Sequence, residues 1–315
     1  MKVSTSENLL MNSPLALGAL CAALAMACSV DAAAVVYESF DYTEGANVVG
    51  QNGGVGFDGA WTGVESAGAG TTNTKIGTGL SFGALEVAGG SVDRQNRAGR
   101  GVINRTIAAG PLSQFTPDGS TVWFSLLMDR TAIIGGDGGF AGNTYATLVF
   151  GDTAFADASS NSAPANTGNA LGVGFVGTGA GTDFSLIEVQ GVAYAGGTLS
   201  TDGPLAVGDT TSFIVGKIDF AANGSSDTLT LYNVTDPGLA LPAAAFATLS
   251  VDLDQSGFNL VSIADPMTSV FDEIRFGATL ADVTPARPIP EPSSLVLLAL
   301  GGLVGLRTYR RISAA

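Results

Sequence analysis

The segment 122–129 constrains this chain more than any other stretch. Val122, Phe124, Leu126 and Met128 alternate with Trp123, Ser125, Leu127 and Asp129. Successive side chains of a strand point to opposite faces, so one face here is wholly apolar and the other largely so. A strand apolar on both faces belongs in the middle of a sheet with material packed on each side. Runs of strand length and composition recur at 35–42, 80–82, 84–87, 102–107, 144–150, 170–176, 184–194, 211–220, 227–234, 245–253 and 260–263. Val270, Asp272, Ile274 and Phe276 mark a last strand by the same period. No stretch between 35 and 284 sustains a helical period, and no repeat of 20–50 residues is visible. Some 12 to 16 short strands are expected, arranged as an all-β jelly-roll sandwich over 35–284.

Glycine supplies the punctuation. It makes up 44 of 315 residues, about twice the usual ~7%. Asn223-Gly224 within 221–226 predicts a hairpin between 211–220 and 227–234. The stretch 50–61 carries five glycines, with Phe57 and Trp61 as large apolar anchors, and reads as a loop. It is not a phosphate cradle, because neither a helical pattern nor a Lys-Ser/Thr pair follows. The Ala/Ser/Asn-rich segment 152–169 reads as a long surface loop.

Both ends differ from this body. At the front, 15–27 is an apolar run of signal-peptide length, and Ala32-Ala33-Ala34 offers small residues for cleavage, so 1–34 reads as a signal helix. Lys2 is the only base before it, and Met11 is an alternative start. Ala25-Met26-Ala27-Cys28 is loosely lipobox-like, which leaves lipid attachment as an alternative. The two cysteines, Cys21 and Cys28, both lie in this segment, so cleavage after Ala34 leaves a chain without thiols or disulfides.

At the back, 285–292 holds Pro285, Pro288, Pro290 and Pro292 and reads as a stiff spacer. The uncharged run 293–306 follows, about 21 Å long as a helix. That is short against a bilayer core of ~30 Å. Arg307, Arg310 and Arg311 close it as a basic stop on the cytoplasmic side. A transmembrane helix with its basic tail over 293–315 is the expectation; a buried terminal helix is the alternative.

This ordered layout resembles the PEP-CTERM sorting signal of Gram-negative bacteria, with Pro290-Glu291-Pro292 as the namesake motif. The resemblance implies an exported protein that passes through the inner membrane. It also implies an exosortase, a membrane enzyme, as the partner that processes the tail. The product would reside at the cell surface or outside the cell, and an exopolysaccharide matrix is one setting for it. Three body segments add a second resemblance. They are 37–42 with 51–54 and Trp61, 215–220 with 227–232, and 271–277. Together they are similar to exported PEP-CTERM proteins with a concanavalin A-like, laminin-G-like sandwich. Those proteins mostly have no assigned activity, so the resemblance implies a fold and little chemistry.

Charge and residue inventory then limit function. Net charge is −15, which makes nucleic acid an unsuitable partner. Histidine is absent, which excludes Ser-His-Asp and Cys-His catalysis and histidine-bound zinc. The Glu-x-Asp-x-x-Glu pattern of laminarinase-type glycosidases does not occur, and adjacent Asp272 and Glu273 are expected on opposite faces. Asp252 with Asp254, and Asp219 with Asp227, are the nearest approaches to a carboxylate pair. No cofactor is called for. Calcium is the one metal the acids suit, through Asp137 with Asp152, or Asp252 with Asp254. Arg94, Arg97, Arg100 and Arg105 form either a patch for an anionic glycan or a solvated loop. Trp61 is the leading aromatic for a polysaccharide-binding surface, while Trp123 is expected in the core. A non-enzymatic envelope protein is the first reading, a carbohydrate-binding module the second and a glycosidase the third.

Overall fold

The computed structural model describes residues 35–66, 74–94, 100–129, 144–154, 168–178, 181–189, 205–206, 211–265 and 270–287. The signal segment, the run 293–306 and the sorting motif lie outside them, so both terminal helix expectations do too. Among the described residues no helix is long and apolar enough to cross a membrane.

Two antiparallel sheets form a sandwich. The first contains β1 (Val36–Glu38), β3 (Thr74–Thr78), β4 (Gly90–Arg94), β6 (Thr121–Asp129), β11 (Ser212–Asp219), β12 (Asp227–Val234), β13 (Ala247–Val251) and β15 (Val270–Gly277). Its order is β13-β12-β11-β6-β15-β4-β3, with β1 also paired to β15. The second contains β2 (Phe57–Ser66), β5 (Arg100–Ile107), β7 (Thr144–Gly151), β8 (Ala170–Thr178), β9 (Gly181–Val189), β10 (Leu205–Ala206) and β14 (Leu260–Asp265). Its order is β10-β9-β8-β7-β14-β5-β2. Among the described residues, two short α-helices, α1 (Ala109–Phe115) and α2 (Leu280–Val283), accompany the sheets.

The main core lies between the sheets. Val122, Phe124, Leu126 and Met128 of β6 meet Ile103, Leu148, Phe150, Val261 and Ile263 of the second sheet. The other face of β6 is also covered. Leu127 joins Phe213, Val215 and Val234 in a smaller cluster closed by Leu85, Leu239 and Val283. The two-sided burial expected of 122–129 follows from these two layers. Trp123 packs against the smaller cluster but is only half-buried.

Several expectations change. The stretch 50–61 is not all loop: β2 begins at Phe57 and pairs with β5, its register shifting between Asp58 and Thr62. Gly59, at φ +74, sits in that irregularity. Segments 80–82 and 84–87 are not strands; Leu80, Phe82, Ala84 and Val87 instead pack against the smaller cluster. β15 holds a bulge between Asp272 and Arg275, with Glu273 at φ 55. The extra residue breaks the period of 2. Phe271, Ile274 and Phe276 therefore face the main core, and Asp272 does not share that face.

Candidate functional site

β1 is held by two buried charge clusters, one on each side of the strand. Glu38 lies on the core-facing side with Val36. Its Oε2 accepts from Trp61 Nε1 at 2.9 Å and from the Tyr42 hydroxyl at 3.0 Å, and its Oε1 from the Phe40 N–H at 2.9 Å. Arg105, reaching inward from β5, makes an ion pair with Glu38 Oε2. The same guanidinium donates to the carbonyls of Gly59 and Gly53 and to Asn52 Oδ1. It also stacks over the Phe57 ring, 4.4 Å from the centroid. Burying a charge is tolerable only when it is paired and hydrogen-bonded, and both groups meet that condition.

The opposite side of β1 carries Tyr37. Its hydroxyl donates to Glu273 Oε2 at 2.9 Å, and Arg275 lies over its ring at 4.5 Å. Arg275 pairs with Glu273 and donates to the Glu86 carbonyl at 2.6 Å. Glu273 Oε1 accepts from the Ala88 N–H at 2.6 Å. Asp272 accepts from the N–H groups of Leu80 and Glu273, each at 2.7 Å. Burial, then the charge of Glu273, push the Asp272 carboxyl up to about 9. Burial also raises Glu273, with Arg275 opposing. The bulge is what brings these adjacent acids within range of one another, against the opposite-face expectation.

These clusters correct two readings. Trp61 is 1% exposed and its indole N–H is bonded to Glu38, so its ring is not a platform for sugar. Arg105 is buried, so it belongs to no surface patch; the side chains of Arg94, Arg97 and Arg100 lie outside the described residues. A signal for the pair existed in the sequence. Glu38 falls between Val36 and Phe40, and Arg105 between Ile103 and Ile107, at core positions that demand a partner.

The calcium candidates are separately occupied. Asp152 Oδ1 accepts from the Asn169 N–H at 2.9 Å and from Thr153 Oγ1 at 2.8 Å. Asp252 Oδ1 accepts from the Gly224 N–H at 2.9 Å. Asp254 caps the turn Gln255–Gly257 through Ser256, whose bonds hold its carboxyl below the usual range. β13 ends at Val251, so Asp252 and Asp254 share no strand face. Asp137 lies outside the described residues. Among those residues no three His, Cys, Asp or Glu side chains gather to hold a metal ion. The Asp219 and Asp227 pair does not form either. Asp219 pairs with Lys217 at 2.7 Å, while Asp227 accepts from the N–H groups of Ala221 and Leu253.

The body's contacts run past α2. Ser125 Oγ donates to the Val283 carbonyl at 2.6 Å, and Ala286 bridges to Leu85. The spacer expected over 285–292 is therefore docked at its first three residues, through hydrogen bonds from the Glu86 N–H to the Pro285 carbonyl and from the Arg287 N–H to the Ala84 carbonyl. Pro290, Glu291, Pro292, Arg307, Arg310 and Arg311 lie outside the described residues.

Residues 288–311, next to that dock, match the PEP-CTERM protein-sorting motif family. The chain carries a PEP-CTERM sorting motif. The motif implies export, cell-surface anchoring in a Gram-negative bacterium and processing by an exosortase.

No curated protein matches the chain. Among solved structures, the chain is similar to a carbohydrate esterase from the Shiga toxin-encoding bacteriophage phi24B. That match has 13% identity, covers 69% of this chain and 88% of the other, and has a TM-score of 0.36. An engineered GH43 glycoside hydrolase matches at 14% identity over 68% of this chain and 42% of that one, TM-score 0.36. The botulinum neurotoxin serotype C1 binding domain matches at 7% over 70% and 44%, TM-score 0.30. Likenesses of this depth bring no activity to this chain.

Proposed function

We propose that this chain is a non-enzymatic protein of the cell envelope or extracellular matrix, a concanavalin-like sandwich delivered by its PEP-CTERM tail. The observation that carries the reading is the sorting motif at 288–311, which follows directly on the β-sandwich body. Glu38 and Glu273 are engaged by hydrogen bonds and arginines that hold β1 in place, and Asp272 accepts from the Leu80 and Glu273 N–H groups. The test is fractionation of cells with and without an exosortase. Surface or released protein that depends on the enzyme supports the reading, and an enzyme-independent distribution overturns it.

A carbohydrate-binding role is the second reading, and one feature favours it. On the outer face of the first sheet, half-buried Trp123 lies opposite Lys217, whose ammonium sits 5.9 Å from the ring centroid. Thr230 is the next residue in that row, and half-buried Tyr232, two residues along the same strand, lies opposite Val215 and packs with Trp123 on the smaller apolar cluster. Half-buried aromatics with Lys217 and Thr230 beside Trp123 suit a neutral sugar. A glycan array with the full chain tests it: binding lost in Trp123→Ala supports this site, and no binding removes the reading.

A further inference from the structure

The last docked residues of the body adjoin the sorting motif. Ala286 pairs with Leu85 as an isolated antiparallel bridge. On either side of that pair, the Glu86 N–H donates to the Pro285 carbonyl at 2.9 Å and the Arg287 N–H to the Ala84 carbonyl at 2.8 Å. Arg287 Nε adds a bond to the Leu85 carbonyl at 2.9 Å. The two sides of this clip are unequal. Leu85 is buried in the smaller core cluster, whereas Ala286 and Arg287 are exposed. The body side is held by packing and the tail side by exposed hydrogen bonds. Elements with few buried apolar contacts open at lower free energy than the fold around them.

The clip also sets a length. With Arg287 docked, only 288–292 separate the body from the apolar run that begins at Ser293. Fully extended, that stretch spans at most about 18 Å. Peeling back to the end of α2 adds 284–287 and raises the limit to about 32 Å. An enzyme that reads Glu291 must fit its cleft between the folded body and the apolar run.

We propose that the Leu85–Ala286 clip is a latch on tail processing. Closed, it leaves only residues 288 and 289 between the docked chain and Pro290-Glu291-Pro292, too short a leash for the processing enzyme; open, it gives that enzyme the chain length it needs. Arg287 is the positioning residue on the tail side, through its backbone N–H and its Nε. The latch rests on the reading that an exosortase processes this tail.

The full-length chain in inner-membrane vesicles of an exosortase-bearing host tests it. Leu85 and Ala286 form a non-hydrogen-bonded antiparallel pair, in which Cα atoms stand ~4.5 Å apart. That lies within the ~4.4–6.8 Å a disulfide spans. The double variant Leu85→Cys/Ala286→Cys is expected to be processed at least ten-fold more slowly when oxidised than after dithiothreitol, while wild type is unaffected by either condition. Equal rates with the crosslink formed overturn the latch. A second variant, Glu86→Pro, removes the body-side N–H and leaves the tail sequence intact. It should be processed several-fold faster, and an unchanged rate in a normally melting protein also overturns the latch. A wild type that is never processed, with the enzyme present, defeats the exosortase reading instead.

Discussion

Glu38 of β1 and Arg105 of β5 form an ion pair buried between the two sheets, at 1% and 2% side-chain exposure. The pair joins the first strand to the opposite sheet. Removing one partner strands the other without solvent, which costs about 3–5 kcal/mol for buried pairs. Arg105→Met should lower unfolding free energy by about that amount, read by chemical denaturation. The double variant Glu38→Gln/Arg105→Met should recover part of the loss, because no unpaired charge remains.

Asp272 links stability to pH. Its carboxyl is raised to about 9 in the folded protein, from an ordinary value near 3.8. Between those values the folded state binds more protons than the unfolded one, so this group's contribution falls as pH rises. Buried Glu273 acts in the same direction. The melting temperature should fall from pH 5 to pH 9. Asp272→Asn should show a flatter dependence, whatever it does to absolute stability. An equal slope in both proteins contradicts the assignment.

Gly216 of β11 faces the Phe124 ring. A Cβ there would lie 2.1 Å from a ring carbon. Gly216→Ala should destabilise by about 1–3 kcal/mol through overpacking. Adding Phe124→Leu should return part of that loss, since it removes the ring the methyl meets. Thermal melts of the single and double variants check this.

Glu291 is held between two prolines, each of which fixes its own φ. A single carboxylate so constrained loses little ordering entropy on recognition. Glu291→Gln should export and fold normally and accumulate unprocessed in the inner membrane of an exosortase-bearing host. Gel mobility and fractionation read the outcome.

The strands that alternate cleanly were legible. β6, and the hairpin of β11 and β12, follow from period 2 and one Asn-Gly turn. The bulge in β15 was not, because a left-handed Glu273 leaves no trace in composition and shifts every later residue by one. β2 was hidden by Gly59, which reads as a turn yet sits at an irregularity inside the strand. Arg105 was grouped with neighbours in sequence, although its place between Ile103 and Ile107 points inward. The dock at 285–287 was masked by proline's reputation as a non-pairing residue. Proline lacks an N–H donor, but its carbonyl still accepts, as Pro285 does from Glu86.

In the proposed function the β-sandwich reaches the cell surface through its PEP-CTERM tail. Intact mass of the protein recovered from the surface or medium tests it most directly, in matched hosts with and without an exosortase. The expected product is a body that has lost the apolar run and the arginine cluster only where the enzyme is present. A full-length tail in both hosts, at the same location, would contradict it.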